Sequence, residues 1–343
     1  GTLSEVVAMN RHIVLAGNLL LDHVKMIDAY PQKGMLVNIS SVSQAVGGSV
    51  PNSGIDIKKL DESLRVTAVG RIGRDADGAF LTERLREAGV ETRLTLDESL
   101  PTSFTDVMTL PSGERTFFHA RGANAAFCAE DVDAGSLECD LFHLGYLLLL
   151  DLMDAPDAEY GTAAARLLHD VQARGIRTSI DVVSAEGGAF RRVVAPALRY
   201  CDYVVMNEVE ASLVTGIEVR SADGTLKTEN LEPICSALLQ AGVRERAVIH
   251  CPELGCGMDA SGAFSIVPSL QLPKNYIVGA VGAGDAFCAG MLYSFLADMP
   301  AEEGLRLGAA AAACNLSVRD SVSGARSLAE TMELERRFER RVL

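Results

Sequence analysis

From Leu141 onward the chain alternates short apolar runs with amphipathic stretches, and this rhythm restricts the possible folds more than any other feature. Leu141–Leu150, Arg177–Val183, Tyr203–Met206 and Ala247–Cys251 read as buried strands, and 263–267 as an edge strand. Between and after them, Ala163–Ala173 (closed by Gly175) and Leu231–Ala241 read as helices, with two more expected around 285–297 and 302–318. Strands without a polar face, separated by helices, require a mostly parallel sheet covered on both sides, an α/β/α three-layer body. Upstream, Ile13–Ala16 and Leu64–Val69 supply further strands, and 79–88 a helix stopped by Gly89. Two β-rich stretches, 23–46 and 92–120, interrupt the order and are expected to form a small second sheet. The reading is one main domain over 9–330 carrying those insertions, with 1–8 as an N-terminal extension before Met9-Asn10-Arg11-His12.

Charge narrows the function. The 31 Lys and Arg face 46 Asp and Glu, a net charge of −15 without any basic run. Nucleic acid and anionic membrane surfaces are therefore poor partners. Anions can still bind where backbone amides converge. The eight cysteines are scattered through apolar segments, and Cys251 and Cys256 lack a second close pair, so free thiols in a reducing cytoplasm fit better than zinc. No run of about 18 apolar residues marks a membrane span, and residues 1–9 lack the pattern of a signal peptide.

The segment Gly279-Ala280-Val281-Gly282-Ala283-Gly284-Asp285-Ala286-Phe287 carries the chemistry. Its small residues allow a sharp turn that exposes amides at the start of the following helix, where free N–H groups and the helix dipole attract anions. Asp285 placed there is expected to be ionised and to accept a proton from a substrate hydroxyl. An anion cradle of Gly282, Ala283 and Gly284 beside a general base is a minimal apparatus for phosphoryl transfer to an alcohol. The plainer reading is a glycine turn capped by an aspartate.

Other segments divide in the same way. Gly17-Asn18-Leu19-Leu20-Leu21-Asp22 sets a carboxylate just past the first strand, either an acceptor for sugar hydroxyls or a solvated loop residue. Gly47-Gly48-Ser49-Val50-Pro51-Asn52 permits close backbone approach to a small polar ligand, with Asn52 able to donate and accept; otherwise it is a turn into a helix. Met206-Asn207-Glu208-Val209-Glu210 offers oxygen ligands for a hard cation, or else a capped helix with acidic first-turn residues. Val69–Gly78 and Arg121-Gly122-Ala123-Asn124 read chiefly as structural turns, with Arg121 and Asn124 also ligand candidates by their position after the second β-rich stretch, and His250 as a packed polar residue.

Taken together, these segments resemble the PfkB (ribokinase-like) family of carbohydrate and nucleoside kinases, from about Ile13 to Leu328. The resemblance implies a ribokinase-like fold whose small sheet is a lid over the sugar. It implies Asp22, Gly47, Gly48 and Asn52 on the substrate, and Asn207 and Glu210 on Mg²⁺ and the triphosphate. Gly255, in an expected loop after 247–251, and Asn315 are implied on the nucleotide side. Three departures stand out. Leu20 stands where ribokinases often have a polar residue, so ribose itself does not carry over as the substrate. Pro252 replaces a usual glycine, and Gly279-Ala280-Val281 lacks the carboxylate that accompanies a monovalent-cation site, so potassium dependence does not carry over.

No Walker A sequence occurs, and Gly70–Gly78 does not form a dinucleotide fingerprint. The leading reading is ATP-dependent phosphorylation of a sugar hydroxyl, with a homodimer formed through the lid edges. A nucleoside kinase and a non-catalytic sugar-binding sensor are the alternatives.

Overall fold

The computed structural model describes residues 3–8 and 10–343. The strands in its N-terminal half are β1 (His12–Gly17), β2 (Leu20–Ile27), β3 (Ile39–Gly47), β4 (Arg65–Gly73), β5 (Glu91–Asp97), β6 (Phe104–Thr109) and β7 (Arg115–Ala120). β8 (Leu141–Leu147), β9 (Arg177–Val182), β10 (Tyr203–Asn207), β11 (Arg246–His250), β12 (Leu254–Asp259) and β13 (Phe264–Pro268) follow. The longer helices begin with α1 (Ser49–Leu60), α2 (Ala76–Glu87), α3 (Ala163–Gln172), α4 (Gly187–Leu198) and α5 (Glu208–Thr215). They end with α6 (Leu231–Gln240), α7 (Ala283–Leu296), α8 (Ala301–Leu316) and α9 (Leu328–Arg337).

Nine strands form one sheet in the order β13-β12-β11-β10-β9-β8-β1-β4-β5. The seven from β11 to β5 run parallel, and β12 and β13 add antiparallel at one edge. Side chains alternate across β1. Ile13 and Leu15 join the core shared with α1 and α7, whereas Val14 and Ala16 join the core under α3, α4 and α6. A fully buried Val, Leu or Ile side chain contributes roughly 1.5–3 kcal/mol, and strands apolar on both faces need helices on both. The three-layer α/β/α body follows. Strand order reverses between β1 and β8, which opens a crevice at their carboxyl ends.

One helix fixes the crevice floor. In α7 every residue from Ala286 to Leu296 is buried, so it is held on all sides rather than along one stripe. Close packing on α8 requires small residues: a Cβ on Gly290 would stand 2.9 Å from the Gly308 backbone.

The second sheet has four strands in the order β3-β2-β6-β7. Here the expected lid boundaries need correction. Residues 91–97 do not belong to the small sheet; β5 pairs in parallel with β4 in the large sheet. The lid also begins earlier than residue 23, at Leu20 in β2. Three further differences concern the body. The loop expected to carry Gly255 is strand β12, helix α4 interrupts a stretch without an assigned element, and the boundary at 330 falls inside α9. Beyond it, Leu334 is buried, Gln271 N–H donates to the Glu339 carbonyl at 2.7 Å, and Arg341 N–H donates to the Ser269 carbonyl at 2.8 Å. Near the other terminus Leu3–Ala8 is helical, with Ala8 buried in the core beside α7.

Candidate active site

Most of the residues singled out by sequence gather near the carboxyl ends of the parallel strands. Gly17 closes β1 with φ 136°, and a Cβ there would strike the Gly145 carbonyl oxygen at the end of β8, so only glycine lets the two strand ends meet. Asn18 follows as a hub. Its side-chain oxygen accepts N–H groups from Ser49, at the start of α1, at 3.0 Å and from Tyr146 at 3.1 Å. One amide thereby sets the relative position of β1, α1 and the end of β8.

Asp285 lies in the first turn of α7, whose cap Gly282 is left-handed at φ 81°. A Cβ on Gly282 would come within 2.8 Å of the Ser321 carbonyl oxygen. The carboxylate has two partners. Asn52 Nδ2 donates to Oδ2 at 2.8 Å, and the Tyr146 hydroxyl donates to Oδ1. Asn52 is itself held by the Ser321 hydroxyl, which donates to its Oδ1 at 2.8 Å. Burial pushes the Asp285 carboxyl above its ordinary range, while the bonds from Tyr146 and Asn52 pull the other way without cancelling it. The expectation of an acid held low by the helix terminus thus meets an opposing desolvation.

Two further acids face this carboxylate. Asp181, at the end of β9, is pushed well up by burial and by the charges of Asp285 and Glu210. Glu210 is pushed up to about 7, first by burial and further by Glu208 and Asp285. Asn207 and Glu210 form a reciprocal cap on α5. Glu210 N–H donates to Asn207 Oδ1 at 2.8 Å, and Asn207 N–H donates to Glu210 Oε1 at 3.0 Å. The other Glu210 oxygen has only a long contact, 3.4 Å, from the Ser184 hydroxyl. Glu210, crowded by Glu208 and Asp285 and held above its usual pKa, offers an oxygen donor that suits a hard cation such as Mg²⁺, with Asn207 holding it in place.

Beside the N-terminus of α7 lies a cavity of about 560 Å³, walled by Asn207, His250, Gly284, Phe287, Leu316 and Arg341. A second cavity, of about 410 Å³ between Arg177, Tyr203 and Phe295, sits at the opposite, amino ends of the strands, away from Asp285. Open α/β sheets place ligands at the carboxyl ends, where the first cavity lies. His250 stacks near Phe287 at 4.8 Å between ring centroids, and burial lowers its pKa to about 4, so it is a packed neutral ring.

Asp22 lies at the root of the lid, with a carboxylate oxygen 3.4 Å from the position of a Cβ on Gly47. Burial raises its pKa to about 6 against the pull of Arg115 and His23. Gly48, at φ 93°, presses on the Asn18 backbone. Two expected nucleotide contacts are placed elsewhere. Gly255 is buried within β12, where a Cβ would stand 3.0 Å from the Phe287 ring, so its smallness makes room for a wall of the cavity. Asn315 is 2% exposed and donates to the Ser321 carbonyl at 2.8 Å, turned into the core. Asn124 clamps the Leu19 backbone with both amide atoms, at 3.2 and 3.0 Å, confirming its structural reading.

Tyr146, Asp181, Ser321 and Arg341 were not singled out from the sequence. Only Asp181 left a trace there, as a lone acid ending an apolar run.

The fold is an α/β body with a large, mostly parallel sheet and a small separate sheet. The pattern of the pfkB family carbohydrate kinases matches residues 11–327, and the chain belongs to that family. It is 26% identical over 317 residues to a ribokinase of Arabidopsis thaliana, covering 90% of this chain and 77% of the relative. It is also 26% identical to a 5-dehydro-2-deoxygluconokinase of Shouchella clausii, covering 86% and 87%. Among solved structures, Arabidopsis thaliana ribokinase complexed with ribose and ATP superposes with a TM-score of 0.75 at 20% identity, covering 94% of this chain and 98% of that one. The ribokinase-like fold is therefore shared.

Proposed function

We propose that this chain transfers the terminal phosphoryl group of ATP to a hydroxyl of a small sugar or sugar acid, with Asp285 as general base. The observation that carries the reading is the placement of Asp285: in the first turn of a buried helix, bonded by Asn52 and Tyr146, beside a cavity of about 560 Å³. Family membership supports it, as do relatives named for a sugar and a sugar acid.

The roles follow from position. Asp22, Gly47, Gly48 and Asn52 orient the acceptor sugar, and Asp285 takes the proton of its hydroxyl. The amides of Gly282, Ala283 and Gly284 receive the charge that develops on the transferred group. Glu210, steadied by Asn207, holds the cation; Mg²⁺ neutralises phosphate charge when bound. The β2-β3-β6-β7 sheet closes over the sugar and excludes water. Its outer strands β3 and β7 expose Val42, Phe117 and Phe118 and are the surfaces for a homodimer. Among the described residues no helix is long and apolar enough to cross a membrane.

The test is ATP consumption with Mg²⁺ across ketoses, aldoses, sugar acids and nucleosides. Phosphorylated sugar or sugar acid is expected. Sugar binding without product across the panel contradicts the kinase reading and favours a sensor, and turnover confined to nucleosides moves the assignment to a nucleoside kinase.

A further inference from the structure

Beneath the base lies a donor cluster that the proposed reaction does not use. His143 in β8, Asp181 at the end of β9 and Cys288 in α7 bring one ring nitrogen, one carboxylate oxygen and one thiol to within 4.8 Å of one another. Three neighbouring elements supply one ligand each. His143 is 1% exposed and Cys288 is buried, so the cluster is closed to bulk water on two sides.

Two atoms in it lack any hydrogen-bond partner: His143 Nε2 and Asp181 Oδ2. An orphaned buried polar atom is costly, and two within one cluster of residues call for an explanation. The imidazole is already oriented for coordination. Its Nδ1 is 2.6 Å from the Ser179 hydroxyl, which fixes the ring and leaves Nε2 without a partner. Burial lowers the His143 pKa to about 3, so the ring is neutral and its lone pair free.

We propose that His143 Nε2, Asp181 Oδ2 and Cys288 Sγ form a second cation site, selective for a borderline metal such as Zn²⁺ over Mg²⁺. The donor types decide the selectivity. Magnesium takes oxygen ligands almost exclusively, whereas zinc accepts thiolate, imidazole and carboxylate at about 2.0–2.3 Å in a tetrahedral arrangement. Those bond lengths set donors about 3.3–3.8 Å apart, so closing the cluster from its widest separation takes a movement of about 1 Å. Binding displaces the Cys288 proton and satisfies both orphaned atoms. A further consequence rests on the kinase reading: positive charge beneath Asp285 makes it a weaker base, so zinc lowers turnover.

The site is tested on the full chain without sugar or nucleotide, and so independently of that reading. Metal-stripped protein is titrated with Co²⁺ in excess Mg²⁺, and the near-ultraviolet thiolate-to-cobalt band is followed. One equivalent is expected to develop the band, and Zn²⁺ to abolish it. Cys288→Ala should remove the band, Cys128→Ala should keep it, and His143→Gln should weaken binding by at least ~10-fold. If Cys288→Ala does not fold, Cys288→Ser serves, binding cobalt without the thiolate band. Absence of the band in the unsubstituted protein, or its persistence after substitution of Cys288, overturns the proposal.

Discussion

Asn52 Nδ2 lies 2.8 Å from Asp285 Oδ2, joining two residues 233 positions apart in sequence. The amide favours the charged carboxylate and opposes the burial that raises its pKa. Asn52→Leu should therefore shift the acidic limb of the kcat/KM profile to higher pH. The sign follows because a base works only when deprotonated, and loss of a donor raises its pKa. A pH–rate profile checks this, and a limb that stays in place or moves to lower pH contradicts it.

Several buried or half-buried acids have folded pKa values above their ordinary ones: Glu210 at about 7, Asp22 at about 6, and Asp181, Asp56 and Asp285 in the same direction. The folded state then holds protons that the unfolded chain releases. Their contribution is fully present below the unfolded pKa and is lost as pH rises through the folded value. For Glu210, moved from 4.5 to about 7, the loss is at most roughly 3 kcal/mol. The ligand-free protein should melt higher at about pH 5.5 than at about pH 7.5, and Glu210→Gln should flatten the difference. Thermal melts across that range give the answer, and a midpoint that climbs steadily to pH 7.5 contradicts the account.

Gly282 tests the cradle. With φ 81° and the Ser321 backbone 2.8 Å from any Cβ, Gly282→Ala combines backbone strain with a steric clash. A stability loss of about 1–3 kcal/mol is expected from the strain, and turnover should fall further than Tm suggests because the amides move. Denaturant unfolding and kcat measured on the same sample separate the two effects. Wild-type stability together with wild-type turnover removes the cradle from the argument.

Much of the site was legible because its chemistry sits in contiguous motifs. Glycines at 282 and 284 with an acid at 285 can be read without knowing what lies opposite. Tyr146 and Asp181 were not legible, since each ends an apolar strand and meets Asp285 only after β8, β9 and α7 pack together. Strand β5 shows a similar limit: its β-rich composition announces a strand but not which sheet receives it, and β4 does. Gly255 was expected in a loop from the family resemblance, although β11 and β13 pair β12 on both sides. Helix α4 was hidden in part by Pro196 near its end. Asn315, expected at the nucleotide, instead satisfies the Ser321 carbonyl, a need created by a loop that has no sequence pattern.

The corrected lid gives a sharper prediction. Sugar should slow hydrogen exchange in residues 20–27, 39–47 and 104–120, which form the small sheet, and leave 91–97 unchanged because β5 lies in the body. Protection of 91–97 equal to that of the lid contradicts this division.

The central claim is that Asp285 takes the acceptor's proton, and the most direct measurement is kcat of Asp285→Asn with the best substrate from the panel. The substitution keeps the shape and removes the base. A fall of at least ~10²-fold is expected, with melting temperature and nucleotide affinity retained. Turnover within a few-fold of the unsubstituted protein contradicts the claim and leaves Asp285 as a structural acid that ties α7 to Asn52 and Tyr146.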